Sequence, residues 1–329
     1  MSLEFNLRKS ALICGSKKDF HGQDARVTGN VLKKRKDNMS KNELTEKEVE
    51  QYQIEGYVVV PSLYSREEIK KVDEVVREMT RAAIVSGDYS KVMELEPESA
   101  GNEPTPRRIY NPFEQHQAFR DLATDARVLD RIEQLIGPNI SIHHSKLNMK
   151  PAKVGSVVEW HQDLAYFPHT NDSLVTTLIY MDDATEENGC LQVLPRHHSH
   201  YFDHRMPDGT FAGMITEEVA DGRFGKTVSL AAPAGSVIFM HCITPHSSLP
   251  NRSTKARRTL IYEYRAADSY PIFFGPYVTN LEKGSHLLRG KPATTARFGG
   301  PAPMIPKMPG DAKSLYTLQA EAKAVAHSR

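Results

Sequence analysis

The segment from Val157 to Asp163, with the sequence VVEWHQD, joins an apolar strand to two side chains that can bind a metal. In an extended strand, side chains two positions apart point to the same face. His161 and Asp163 can therefore reach one point in space. The triplet alone is weak evidence, because 14 histidines make such a pair common by chance. Support has to come from the rest of the chain.

Short strands separated by turns surround this segment from about residue 140 onward. Turn signals such as Asn188-Gly189 and Pro233-Ala234-Gly235 interrupt the apolar runs. The runs predict strands at 140–149, 157–162, 174–181, 190–194, 227–231, 236–242 and 257–265. Many short strands of this kind favour two packed antiparallel sheets.

Helices are predicted before the strands. Capping boxes at Thr45 and Ser65 predict a short helix followed by a strand over 56–61, and then a longer helix through about Ser86. A third helix is predicted over 119–136, where apolar residues recur at helical spacing. The predicted fold class is mainly β with flanking α: a double-stranded β-helix (jelly roll, cupin-like) core backed by helices.

Composition divides the chain into one large domain and two extensions. Residues 1–43 are polar and locally basic, which predicts a flexible tail. Residues 44–290 form the predicted domain. Residues 291–329 are rich in Pro, Gly and Lys, and we expect this C-terminal extension either to wrap the surface or to be mobile.

The charge balance gives no reason to expect nucleic acid or a membrane as a partner. Lys and Arg number 42 against 41 Asp and Glu, so the net charge is +1. The chain shows neither an apolar run long enough to span a bilayer nor the apolar segment of a secretory signal. Three widely spaced cysteines fit reduced thiols better than disulfides. These features predict a cytoplasmic location and leave the oligomeric state open.

A second segment supplies a further candidate ligand. His246 lies 83 residues after Asp163, and Arg257 lies eleven residues after His246. We expect an apolar strand that ends at His246, a turn, and a second strand from Arg257, which makes these two residues hairpin neighbours. His241 and Arg258 remain alternatives to them, since alternation alone does not show which face of a strand is buried.

Two imidazoles and one carboxylate on one side of a metal are the ligand set of non-haem iron(II) oxygenases. A guanidinium at the same mouth can hold a carboxylate through two hydrogen bonds, which suits the far carboxylate of 2-oxoglutarate. The denser group of His197, His198, His200 and His204 has no fixed strand spacing. We expect these four histidines at the surface.

Three motifs resemble those of the phytanoyl-CoA dioxygenase family of iron(II)/2-oxoglutarate oxygenases. They are Trp160-His161-Gln162-Asp163, the segment Glu187–His198 (ENGCLQVLPRHH), and His246-x-Ser248 followed by Arg257. The resemblance covers roughly residues 48–290. It implies a jelly roll in which His161, Asp163 and His246 are the catalytic iron ligands, while Arg257 and Ser248 hold 2-oxoglutarate.

The resemblance also implies two further co-substrate contacts. Asn148 lies on a segment similar to one that carries an Asn contact to 2-oxoglutarate in ectoine hydroxylases, and Arg108 lies where the family often has a basic contact. The sequence departs from the family at Ser247, where glycine is usual. The segment 164–169 does not match ectoine hydroxylases, so ectoine is not the expected substrate.

The expected activity is that of a dioxygenase that uses iron(II), 2-oxoglutarate and O2. It hydroxylates an unactivated C–H bond of a small molecule and converts 2-oxoglutarate to succinate and CO2. Lys146, Tyr166 and Phe167 are candidate substrate contacts. Two other classes stay open. One is a metal-dependent hydrolase or isomerase on a jelly roll, which gives Arg257 no role; the other is a non-catalytic binding module.

Overall fold

The computed structural model describes residues 42–87, 89–96, 105–153, 155–219, 222–272, 285–301 and 313–327. The predicted basic tail therefore lies almost wholly outside the described residues. Within the described ranges, no helix has both the length and the apolar composition needed to cross a membrane.

The first two helices and the strand between them are confirmed. Helix α1 spans Glu46–Glu55, strand β1 spans Tyr57–Val60, and helix α2 spans Arg66–Ser86. Both capping boxes form as the sequence predicts. In each, the hydroxyl of Thr45 or Ser65 accepts from the backbone N–H of the glutamate three residues later, and the side chain of that glutamate accepts from the backbone N–H of the Thr or Ser.

The single helix predicted over 119–136 is wrong, because the chain forms separate helices there. After α3 (Pro112–Gln115), α4 spans Gln117–Ala123 and α5 spans Ala126–Ile136. Asp125 causes the break, since its carboxylate accepts from the Arg127 N–H at 2.8 Å and so starts a new helix. The apolar spacing continues across this cap, which hides the break from pattern analysis.

Two antiparallel sheets form the core. The remaining elements are β2 (Met93–Leu95), β3 (Pro106–Tyr110), β4 (Ile140–Lys150), β5 (Val158–His161), α6 (Asp163–Tyr166), β6 (Leu174–Tyr180), β7 (Leu191–Val193), β8 (Val228–Ser229), β9 (Val237–His241), β10 (His246–Ser248), β11 (Arg257–Ala266), β12 (His286–Arg289) and α7 (Leu315–His327). The large sheet has the order β1-β9-β6-β11-β4-β3-β2, with β12 beside β4. The small sheet has the order β5-β10-β7-β8. Each predicted strand is present, and β2, β3, β10 and β12 are additional.

The two faces of the large sheet carry different side chains. On β11, Leu260, Tyr262 and Tyr264 belong to the main apolar core. The hydroxyls of Tyr262 and Tyr264 donate to the carbonyls of Phe119 and Ala123 on α4, at 2.7 and 2.9 Å. Because side chains alternate along a strand, the intervening residues of β11 face the opposite way, toward the small sheet. The helices therefore back the outer face and leave the inner face for a site.

His246 does not end the strand that precedes it, and it is not a hairpin neighbour of Arg257. Strand β9 ends at His241, and His246 begins β10 in the small sheet, whereas Arg257 begins β11 in the large sheet. Pro245 lies at the crossing; proline has no N–H to donate to a sheet, so it favours a break between strands. The expected hairpin is thus wrong, and the two residues belong to opposite sheets.

The C-terminal extension contributes a packed helix. Leu318 and Ala322 of α7 are buried, and Leu318 packs against Ala165 and Phe211. The Gln319 amide donates to the Gly213 carbonyl at 2.8 Å and accepts from the Glu159 N–H at 3.2 Å. The Gln319 side chain therefore ties helix α7 to the backbone of β5 and to that of Gly213.

We expect Gly235→Ala to be more destabilising than Gly222→Ala. Both glycines have a positive φ, of 86° and 85°, so alanine is strained by about 1–2 kcal/mol at either position. A Cβ at Gly235 would lie 2.0 Å from the Tyr64 carbonyl oxygen, whereas a Cβ at Gly222 meets nothing within 4 Å. The clash adds about 1–3 kcal/mol. Urea unfolding of the two variants measures this difference, and equal losses contradict it.

Candidate active site

Three candidate ligands converge between the sheets. The Asp163 Oδ1 atom lies 3.9 Å from Nε2 of His161 and 3.7 Å from Nε2 of His246. The two imidazole centroids are 4.1 Å apart. One donor atom from each residue lies within 4.8 Å of the others, and all three residues are buried. Among the described residues, no other group of histidine, cysteine or acidic side chains meets this geometry. These three side chains can hold a single cation.

The two halves of the cluster are brought together by strand pairing and by a corner in the chain. His246 on β10 is directly opposite His161 on β5. Asp163 lies just beyond the strand, as the sequence predicts, and is the first residue of α6. Gln162 holds this corner, because its buried amide donates to the His200 and Ile243 carbonyls at 2.6 Å each and accepts from the Phe202 N–H at 2.9 Å. The corner turns the Asp163 carboxylate toward the imidazoles.

Backbone carbonyls select the tautomer of both histidines. Nδ1 of His161 lies 2.8 Å from the Glu159 oxygen, and Nδ1 of His246 lies 2.9 Å from the Thr244 oxygen. A carbonyl can only accept, so each Nδ1 carries hydrogen and each Nε2 presents a lone pair. This orientation is the one in which outer hydrogen bonds prepare imidazoles for a metal.

The charges at the cluster also suit a metal. Burial lowers the pKa of His161 and of His246, so both imidazoles are neutral near pH 7. Burial alone raises the pKa of Asp163, but His246, Lys146 and the Thr176 hydroxyl together lower it to about 2. Neutral imidazoles and an ionised carboxylate are the protonation states that metal binding requires.

The cavity at this cluster extends along the inner face of the large sheet. Besides the three ligands it is lined by polar residues (Lys146, Asn148, Thr176, Ser247, Ser248, Arg257 and Thr259) and by apolar ones (Val158, Leu178, Tyr180, Leu191, Ile261 and Leu315). The structure therefore brings Arg257, Ser248, Asn148 and Lys146 to the same cavity as the metal cluster. The cavity combines charged groups at its floor with apolar walls.

The two adjacent arginines face opposite ways. Arg257 is 5% exposed and lines the cavity. Arg258 is on the helix-covered side, where its guanidinium donates to Asp182 at 2.7 Å and also to Asp73. Alternation along β11 thus directs only the first of the pair to the site.

Arg257 is a buried cation on the lining of the cavity. Its Nη1 donates to the Thr259 hydroxyl at 2.8 Å, and its Nη2 donates to the Gly189 carbonyl. Its buried Nε–H has no hydrogen-bond partner among the described residues. The hydroxyl and the carbonyl that accept from Arg257 are uncharged, so neither balances the positive charge of the guanidinium. The guanidinium is therefore suited to an anionic ligand such as a carboxylate.

Arg108 reaches the cavity through another side chain. Its Nε donates to the side-chain oxygen of Asn148, Oδ1, at 3.0 Å, and Asn148 lines the cavity. The Tyr316 ring of α7 covers this arginine, with its centroid 5.1 Å from the guanidinium carbon. Arg108 thus orients Asn148 and anchors α7, while α7 places Leu315 in the cavity wall.

The three candidate substrate contacts lie around the metal cluster. Lys146 Nζ is 3.9 Å from Asp163 Oδ1. Phe167 lies beneath that ammonium, with the ring centroid 5.7 Å from Nζ. The Tyr166 ring packs edge-on against His161 at 5.7 Å, and its hydroxyl donates to the Gly213 carbonyl. Lys146 is the one of the three among the residues that line the cavity.

The alternative histidines lie elsewhere. His241 packs against Tyr52 and His198, at centroid distances of 6.2 and 5.3 Å, and is not part of the metal cluster. His204 is 2% exposed, so the expectation of a surface position is wrong for it. Its Nε2 accepts from the Gln162 N–H at 3.1 Å, which makes it a support for the corner between the two ligands.

Sequence reasoning missed three residues at the site. Thr176 lies in the apolar run of β6, and Glu263 lies in the apolar run of β11. Both are buried polar residues, and such residues inside apolar strands are a signal that sequence analysis can use. Leu315 belongs to a helix separated from the domain by the Pro- and Gly-rich segment, and no local signal links it to the cavity.

Comparison with known proteins identifies relatives. Residues 52–259 match the family model described as phytanoyl-CoA dioxygenase (PhyH). A probable alpha-ketoglutarate-dependent hypophosphite dioxygenase of Stutzerimonas stutzeri is 34% identical over 242 residues, which cover 71% of this chain and 84% of that protein. A methylphosphonate hydroxylase of Gimesia maris is 28% identical over 223 residues, which cover 68% of this chain and 81% of that protein.

A solved structure shares the fold. EctD from S. alaskensis with bound Fe superimposes with a TM-score of 0.62 at 20% identity, over 80% of this chain and 91% of that chain. This likeness confirms the predicted jelly roll. The matched range contains the three candidate ligands of the cluster as well as Arg257. The chain therefore belongs to the phytanoyl-CoA dioxygenase family and is an iron(II)- and 2-oxoglutarate-dependent dioxygenase.

Proposed function

We propose that His161, Asp163 and His246 hold the iron and that Arg257 anchors the far carboxylate of 2-oxoglutarate, in an enzyme that hydroxylates a small molecule. The observation that carries the proposal is the buried Arg257 guanidinium, whose hydrogen-bond partners are uncharged, on the lining of the cavity that also contains the metal cluster. A metal site that only activates water needs no such cation.

Each polar residue of the cavity has a place in this proposal. Ser248 and Asn148 supply a hydroxyl and an amide beside Arg257, where a carboxylate needs donors. Arg108 keeps Asn148 in position through the 3.0 Å hydrogen bond. Leu178, Leu191 and Leu315 form apolar walls that exclude water from the reacting centre. When bound, iron(II) and 2-oxoglutarate supply the reducing equivalents for oxygen activation, with succinate and CO2 as products.

We expect His246→Ala to abolish succinate formation from 2-oxoglutarate, because two of three ligands cannot hold iron(II) in the required geometry. His241→Ala is the matched control, since this histidine lies outside the cluster, and it should retain activity. Succinate formation with iron(II) and O2 measures both. A substrate that is turned over under argon without 2-oxoglutarate would instead support the hydrolase or isomerase class.

Arg257→Lys should weaken 2-oxoglutarate binding by roughly tenfold or more, because a lysine cannot reproduce the two-pronged contact of a guanidinium. Arg258→Lys should leave that affinity unchanged, since Arg258 binds Asp182 and Asp73 on the other face of β11. Anaerobic calorimetry with iron(II) and 2-oxoglutarate compares the two variants. Equal affinities would remove Arg257 from the co-substrate site.

We further propose that the substrate is a small anion and that Lys146 binds it. The Lys146 ammonium has three N–H donors and sits at the metal cluster, and Glu263 Oε1 accepts one of them at 3.0 Å. The hypophosphite and methylphosphonate enzymes support this class, because both relatives are named for small phosphorus oxyanions. Phe167 and Tyr166 would complete the wall on the side of α6.

A panel of hypophosphite, methylphosphonate, L-proline and ectoine tests the substrate class. We expect an anion of this panel to stimulate succinate formation, and the zwitterions to give little stimulation. Lys146→Met should lower kcat/KM for that anion by about tenfold or more, the value of one charge-assisted hydrogen bond. Lys153→Met, at an exposed position, is the control. Stimulation by the zwitterions alone would contradict the proposal.

We place the enzyme in the cytoplasm. Cys190 and Cys242 are buried free thiols, a state that suits a reducing compartment. Cys14 lies outside the described residues.

A further inference from the structure

Glu263 is a buried acid that the proposed reaction does not use. It lies on the inner face of β11 and is 3% exposed. Its Oε1 accepts from Lys146 Nζ at 3.0 Å, and its Oε2 lies 2.7 Å from the Thr176 hydroxyl. Removing a carboxylate from water costs several kcal/mol, even when it is paired, so a buried Glu calls for an explanation.

The Thr176 hydroxyl joins this acid to the metal cluster. Thr176 on β6 is directly opposite Glu263 on β11 and is 1% exposed. Its hydroxyl oxygen also lies 2.7 Å from Asp163 Oδ2. Asp163 Oδ1, the other oxygen of the same carboxylate, faces both imidazoles. The Thr176 hydroxyl therefore contacts one oxygen of Asp163, Oδ2, and leaves the other, Oδ1, beside the imidazoles.

We propose that Thr176 and Glu263 are positioning residues that present Asp163 to the metal through one oxygen only. The proposal rests on the proposed iron site. A hydrogen bond at 2.7 Å engages Oδ2, so binding a metal through both oxygens requires that this bond be broken. One oxygen of Asp163 and one nitrogen of each histidine would hold the metal and would leave it room for a two-pronged co-substrate and for oxygen.

The number of available hydrogens decides which group donates and which accepts between Glu263, Thr176 and Asp163. A threonine hydroxyl has one hydrogen, yet Thr176 has a carboxylate oxygen at 2.7 Å on each side. Both contacts are hydrogen bonds when Glu263 carries a hydrogen and donates it to the Thr176 oxygen, while Thr176 donates its own to Asp163. Burial raises the pKa of Glu263 to about 7, and the Asp163 charge adds to the rise, which agrees with this assignment.

Cobalt(II) is the probe that tests the arrangement, because its visible spectrum reports coordination and its binding is measured without turnover. Thr176→Val keeps the side-chain shape but removes the hydroxyl, and Thr176→Ser retains it. We expect the valine variant to bind cobalt(II) about 10- to 100-fold more weakly, the usual effect of losing an outer hydrogen bond to a ligand, and to show a changed spectrum. The serine variant should keep the wild-type affinity and spectrum.

A second pair of variants tests the acid itself. Glu263→Gln can still donate to Thr176 through its amide and should keep the wild-type cobalt(II) spectrum. Glu263→Met removes the donor but suits a buried site, and it should behave like Thr176→Val. This pair decides the question if circular dichroism shows that the valine variant is unfolded. An unchanged affinity and spectrum in the folded valine or methionine variant overturns the inference.

The wild-type protein separates this inference from the proposed iron site. If wild-type protein binds cobalt(II) and His246→Ala does not, the metal site is supported. The Thr176 and Glu263 variants then test the positioning role alone. If His246→Ala binds cobalt(II) as tightly as wild type, the metal site itself is wrong, and the inference fails with it.

Discussion

The pairing of β10 with β5 is the interaction on which the site depends. It places His246 opposite His161, and residues directly opposite in an antiparallel pair have Cα atoms about 4.5–5.5 Å apart. The centroids of the two imidazole rings are thereby 4.1 Å apart. A slip of one residue would turn one of them to the other face of the sheet. The small sheet thus sets the spacing of the two imidazoles through its register, and the corner at Gln162 adds the Asp163 carboxylate.

The large sheet supplies the chemistry that surrounds this metal geometry. Its helix-covered face is apolar and makes the main core, and Leu178, Tyr180 and Ile261 on the inner face belong to a second apolar cluster. The inner face also carries Lys146, Glu263 and Arg257, whose burial costs free energy. The charge of Asp163, 3.9 Å from Lys146, offsets part of that cost, and Lys146 also donates a hydrogen bond to Glu263 at 3.0 Å. The apolar packing on the helix-covered face therefore stabilises a domain whose inner face carries charged residues.

Features set by residues close together in the sequence were predictable, whereas features set by contacts between distant residues were not. His161, Asp163 and His246 were recognisable because metal chemistry restricts residue type and the motifs restrict spacing. The hairpin between His246 and Arg257 was wrong because sheet membership is a long-range property, and Pro245 gives only a local hint of the crossing. The role of α7 was invisible for the same reason. Its contacts with β5 and with Arg108 join residues more than 150 positions apart.

The pair Arg257 and Arg258 shows how partners, rather than residue type, decide function. Both are arginines on one strand, and both are largely buried. Arg258 has its charge matched by the carboxylates of Asp182 and Asp73. Arg257 contacts a hydroxyl and a carbonyl, which accept hydrogen bonds but carry no net charge. Its positive charge is left for an anion in the cavity, and burial strengthens that attraction because the surroundings screen it weakly. The same side chain thus stabilises the fold at one position and leaves its charge available to an anion at the next.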